Sequence, residues 1–194
     1  MKRLALLAVV SLSFSVDVGA TNTTQAASYA GQESREIKAL SAEDVQAYLS
    51  GKGMGLAKAA ELNGYPGPSH VLALSSQLNL TDKQRKLTAA QFAAMEVSAV
   101  TYGRSLVEEE RRLDQMFASK TITPELLSAS LERIGQLQAK IRAAHLAAHL
   151  VQLRIMTSDQ VALYMRLRGY TKDQEAIEQK HHQHTINTSS TQQH

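Results

Sequence analysis

The sequence predicts an all-α protein, and three observations carry that prediction. Aromatic residues make up only 5% of the 194, Trp and Cys are absent, and there are ten glycines and three prolines. Those are lean supplies of the residues that strands and their turns draw on. Beyond residue 80 the chain is dominated by Ala, Leu, Gln, Glu, Lys and Arg, which lose least on entering a helix. Apolar side chains there recur at alternating spacings of three and four, the signature of one helix face. With 43% hydrophobic residues a core can form, and the length suits one domain with tails.

The N-terminus reads as a secretory signal over residues 1–20. Lys2 and Arg3 precede the apolar stretch Leu4 to Val16, and Val18-Gly19-Ala20 offers small residues for cleavage after Ala20. The apolar run is shorter than the roughly 20 residues of a spanning helix, and Asp17 interrupts its end. Without Lys2, Arg3 and Asp17 the charge falls from +3 to +2, too mild to imply nucleic acid. No later segment suits membrane insertion. Zero cysteine excludes disulfides and thiolate metal sites, so packing alone must hold an exported fold.

Residues 21–40 read as a disordered linker, most clearly Thr21 to Gln32, where almost no apolar side chain exceeds Ala. Residues 41–68 read as short helices and a Pro/Gly connection. Ser41-Ala-Glu-Asp44 opens a capped helix ending at Gly51, Leu56 to Leu62 gives another helical turn, and Asn63-Gly-Tyr-Pro-Gly-Pro68 gives a sharp turn. Val71 to Leu78 resumes helical spacing.

The main helical domain spans residues 69–170. Thr81-Asp-Lys-Gln84 has the form of a capping box, in which Thr accepts the N–H of the third helical residue and Gln reaches back to the Thr N–H. The form recurs at Thr157-Ser-Asp-Gln160 and at Thr171-Lys-Asp-Gln174. From Thr81 to about Ser119 no Pro intervenes, and Phe92, Met95, Ala99, Tyr102, Leu106, Leu113 and Met116 make one seam broken at Glu109. A second helix begins at Thr123-Pro124. Its seam of Leu127, Ser130, Ile134, Leu137, Ile141, Ala144, Ala148, Val151 and Ile155 keeps a seven-residue period.

Joined by the short loop Ser119 to Thr123, the two form an antiparallel hairpin, each arm on the order of 50 Å long. One seam covers little surface, which favours flanking helices and a homodimer. Gly103 and Gly135 fall mid-helix, where each costs about 1 kcal/mol relative to Ala unless a bend or a close helix approach requires it. Residues 171–194 form a polar tail containing histidines.

The pair Leu80-Thr81-Asp-Lys-Gln84 and Met156-Thr157-Ser-Asp-Gln160, bracketing a long helical hairpin behind a signal peptide, resembles the Spy/CpxP family of periplasmic stress proteins and their two Leu-Thr-x-x-Gln motifs. The resemblance covers about Val71 to Gly169, with Met156 in place of the usual Leu, a volume-conserving change. It implies a periplasmic, cradle-shaped dimer that acts as an ATP-independent chaperone for unfolded or aggregation-prone clients. Its relatives include zinc-responsive heavy-metal-resistance proteins.

The residues suit such a role. Arg85, Arg104, Arg111, Arg112, Arg142 and Arg154 spread charge on apolar stems along the hairpin, and Met95 and Met116 add adaptable apolar contact. Core packing is the competing role for the methionines, and Glu108 with Arg112 makes an ordinary i,i+4 pair. No cofactor is required, and no phosphate loop is present.

Zinc is the alternative. His145 and His149 stand one turn apart on one helix face, though without an acidic residue on that face. His181, His182, His184 and His194 in the tail could also chelate, loosely. His70, beside the Pro turn, is isolated. No nucleophile–base–acid set can be composed, so no enzyme is expected.

Overall fold

The computed structural model describes residues 28–171, and among them every regular element is a helix. Six follow in order: α1 (Ala42–Leu49), α2 (Lys58–Glu61), α3 (Pro68–Ala73), α4 (Asp82–Ala118), α5 (Pro124–Ile155) and α6 (Ser158–Leu167). No helix among the described residues is long and apolar enough to cross a membrane. The signal-peptide reading, the His tail and the third capping motif beyond Thr171 lie outside the described residues. Residues 28–33 belong to a unit of their own, and all six helices belong to the unit that begins at Ser34.

Four N-termini form as the sequence dictates. Ser41, Thr81 and Thr157 each accept the backbone N–H three residues on, and Asp44, Gln84 and Gln160 reach back to close capping boxes. Thr123 caps α5 from the Leu126 N–H, with Pro124 at the first position, where a missing N–H costs nothing. The shorter helices depart from expectation. The Leu56 to Leu62 turn narrows to α2, which has no side-chain cap. The helix expected from Val71 to Leu78 runs instead from Pro68 to Ala73, since Pro68 supplies the start. The chain then turns through Asn79 at positive φ, a conformation Asn tolerates.

The two long helices, 37 and 32 residues, pack through pairings whose numbers fall on one as they rise on the other. Leu106 clusters with Ile134, Leu137 and Ile141, Met95 and Ala99 with Ala148, and Thr88 with Gln152. The predicted α5 seam holds from Ser130 to Ile141 and then shifts. Val151 is exposed, while His145, His149 and Gln152 are buried beside Ala148. At 3.6 residues per turn a helix drifts roughly 20° per heptad from a seven-residue repeat, so the inward face passes from aliphatic to polar residues. Gln152 Nε2 donates to Thr88 Oγ1 at 3.2 Å, and both residues are fully buried.

Flanking elements cover part of the rest. Leu80 and Met156, the apolar residues of the two motifs, share a cluster with Val71, Leu78 and Tyr164. Residues 34–40, within the stretch read as disordered, lie along α4: Ile37 is buried, Glu36 pairs with Arg111, and Lys38 pairs with Asp114 at 3.1 Å. One apolar side chain and two ion pairs anchor this segment, contacts that its composition alone does not announce.

Gly103 and Gly135 have different reasons to exist. A Cβ on Gly103 would fall 2.2 Å from the Tyr48 carbonyl oxygen at the end of α1, whereas a Cβ on Gly135 would meet nothing within 4 Å. Close approach of α1 to α4 therefore explains Gly103, and packing places no demand on Gly135. Gly103→Ala should destabilise the chain by about 1–3 kcal/mol through overpacking, while Gly135→Ala should stabilise it by up to about 1 kcal/mol. Thermal unfolding of the two variants checks both signs.

Candidate functional site

The two repeated motifs meet. Gln84 Nε2 donates to Gln160 Oε1 at 2.8 Å and to the Ile155 carbonyl at 2.9 Å. Gln160 Nε2 donates to Gln84 Oε1 at 3.2 Å and to the Leu78 carbonyl at 3.2 Å. Each carboxamide oxygen also accepts its own cap N–H at 3.0 Å, from Thr81 and from Thr157. One pair of side chains thus satisfies the starts of α4 and α6, the end of α5 and the turn before α4. Leu80 and Met156 pack beneath it. Each motif residue has a role here: the apolar residue anchors, Thr caps and Gln clasps.

A second polar cluster lies in a cleft of about 550 Å³ between the 50–70 region, α4 and α5. Glu61, on α2, is 8% exposed. Its Oε1 accepts the Tyr164 hydroxyl and Arg168 Nε, and its Oε2, buried with no hydrogen-bond partner among the described residues, lies 3.8 Å from His149 Nδ1. That Nδ1 is 2.7 Å from the Tyr65 carbonyl. A carbonyl only accepts, so Nδ1 carries the hydrogen and Nε2 of the neutral ring keeps its lone pair.

Gly67 closes the cluster by lacking a side chain. A Cβ there would come within 3.0 Å of His149 Cε1 and 3.3 Å of Glu61 Oε2, and the Gly67 N–H reaches the Tyr164 hydroxyl at 3.3 Å. Burial, then the hydrogen bond to Glu61, pushes the Tyr164 phenol above its ordinary range, so it donates at any physiological pH. Burial, then the neighbouring His149, holds His145 below the ordinary histidine value, and its Nε2 has no hydrogen-bond partner among the described residues. His70 also lines the cleft, lowered by burial and then by Arg168.

His145 and His149 therefore share one buried face, and the acidic neighbour absent from their own helix arrives from α2. Among the described residues no group of three His, Asp or Glu is gathered so as to hold a metal ion. Sequence reasoning missed Glu61, Tyr164 and Arg168. The last two stand 103 and 107 positions from the first and carry no local spacing signal.

The arginines divide. Arg111 binds Glu36 and Glu108, Arg112 binds Glu109 at 3.0 Å rather than the Glu108 expected from i,i+4 spacing, and Arg85 pairs with Asp82 at 3.5 Å. Glu109, the break in the α4 seam, is buried, so it takes the cation nearest its carboxylate. Arg104, Arg142 and Arg154 are exposed. Met95 is buried in the core, and Met116, half-buried, lines a groove between α4 and α5.

No family model matches the chain, and neither a curated protein nor a solved structure matches it.

The lowered pKa of His145 makes stability depend on pH with a fixed sign. The unfolded chain takes the proton at about 6.5, whereas the folded chain resists it to lower pH, so acidification favours unfolding. This contribution is complete well above pH 6.5 and is lost as pH falls from there through the folded-state value. Thermal unfolding between pH 7.5 and 5 should show a steeper loss in the wild type than in His145→Gln. Equal slopes would remove the desolvated-histidine account.

Proposed function

We propose that this chain is an exported, periplasmic, ATP-independent chaperone that holds unfolded or aggregation-prone polypeptides on its two long helices. The supporting observation is apolar surface left in solvent on both of them. Val97 is 67% exposed, Phe117 and Leu131 53%, and Leu150 52%. Single exposed apolar residues are common, but repeated ones on helices whose inward seams are already filled offer a non-directional surface for exposed client side chains. Exposed Arg104, Arg142 and Arg154 add charge for long-range capture. No nucleotide is needed for such binding. The resemblance of the paired motifs to Spy/CpxP proteins supports the same reading, with the antiparallel hairpin doubled into a cradle-shaped homodimer.

Zinc binding is a second reading, favoured by one observation: Glu61 stands beside His149, whose Nδ1 is fixed by a backbone carbonyl, the outer-sphere arrangement that ligating histidines use.

Light scattering of a heat-aggregating client separates the two. Sub-stoichiometric to equimolar protein should suppress scattering in the absence of added metal and without ATP. No suppression at any ratio would remove the chaperone reading, and suppression that requires added zinc would replace it with the metal-dependent one.

A further inference from the structure

The groove between α4 and α5 near their loop encloses about 700 Å³ and has arginines on both walls, Arg104 and Arg112 from α4 and Arg133 from α5. Its acidic side chains are already engaged: Glu109 is buried against Arg112, and Glu108 holds Arg111. Arg104 and Arg133 face each other's wall with neither an ion pair nor a hydrogen bond among the described residues. The lining also includes apolar groups, with Met116 half-buried and Leu126 45% exposed. Two unengaged guanidiniums in a groove that also presents Met116 and Leu126 complement a ligand that carries carboxylates next to apolar side chains, because the guanidinium fork binds a carboxylate through two parallel hydrogen bonds.

We propose that this groove is the docking site for acidic–apolar peptide segments, which names the client chemistry and rests on the chaperone reading. A nucleic acid is a poorer occupant. None of the groove's lining side chains is aromatic, so there is no platform for base stacking.

The test is fluorescence anisotropy of the full chain with a labelled peptide of alternating Glu and Leu, beside its Gln–Leu counterpart and a labelled oligothymidylate. The Glu–Leu peptide should bind at least about ten-fold more tightly than the Gln–Leu peptide and the oligonucleotide, as charge-assisted hydrogen bonds require. Binding should weaken with salt. The pair Arg104→Glu with Arg133→Glu should lose that preference, while Lys83→Glu with Lys86→Glu, the same charge change at exposed residues outside the groove, should keep it.

Equal binding of the Gln–Leu peptide, tighter binding of the oligonucleotide, or equal loss in both double variants would overturn the assignment. Both variant pairs are exposed and can be checked for unchanged helix content by circular dichroism. If either fails to fold, backbone chemical-shift changes in the wild type decide, the proposal requiring that they centre on residues 104–133 when the peptide binds. Scattering suppression that survives without peptide binding would discard the groove and keep the chaperone, whereas peptide binding without suppression would do the reverse.

Discussion

The exchange of hydrogen bonds between Gln84 and Gln160 is the joint on which the arrangement of helices depends. Two helices of 37 and 32 residues pack along a single seam, and a seam alone resists sliding poorly because its apolar contacts lack direction. The glutamines supply that direction. Each amide closes a capping box and then crosses to the other motif and to a carbonyl, at Ile155 or Leu78. The register of α4 against α5 and the placement of α6 are fixed together at this end. At the other end the five-residue loop 119–123 ties α4 to α5 covalently, and Thr123 caps the start of α5.

From that register follows the division of surface. The inward face of α5 is aliphatic from Ile134 to Ile141 and then polar at His145, His149 and Gln152, so buried polar groups must find partners on α4 or in the flanking segments. Burying a polar group without one costs on the order of 1–3 kcal/mol. Tyr65, Glu61 and Thr88 supply most of those partners. The orphaned Glu61 Oε2, His145 Nε2 and Gln152 Oε1 mark where the supply stops. Val151, which a seven-residue repeat would have turned inward, remains in solvent beside Leu150, a residue of the surface proposed to hold clients.

Much of this was legible in the sequence because it is local. Capping boxes involve four consecutive residues, Pro124 announces its own position, and the Ser130 to Ile141 seam repeats within one helix. What was not legible depends on pairs far apart. Nothing near Glu61 indicates that it will stand against His149, Tyr164 and Arg168, since α2 is one turn long and is placed by the turns around it. The role of Gly103 depends on the arrival of the Tyr48 carbonyl, 55 positions earlier in the chain. The repeated motifs could be read as helix starts, but not as two halves of one joint, because that takes the packing of α4 with α5 to bring them together.

A double-mutant cycle on Gln84 and Gln160 tests the joint most directly. If the two carboxamides support each other, Gln84→Ala and Gln160→Ala should each destabilise the chain, and the double variant should cost less than the sum by at least about 0.5 kcal/mol, the coupling expected of residues in contact. Additivity within about 0.3 kcal/mol would mean that each motif caps only its own helix, and the clasp between them would have to be abandoned.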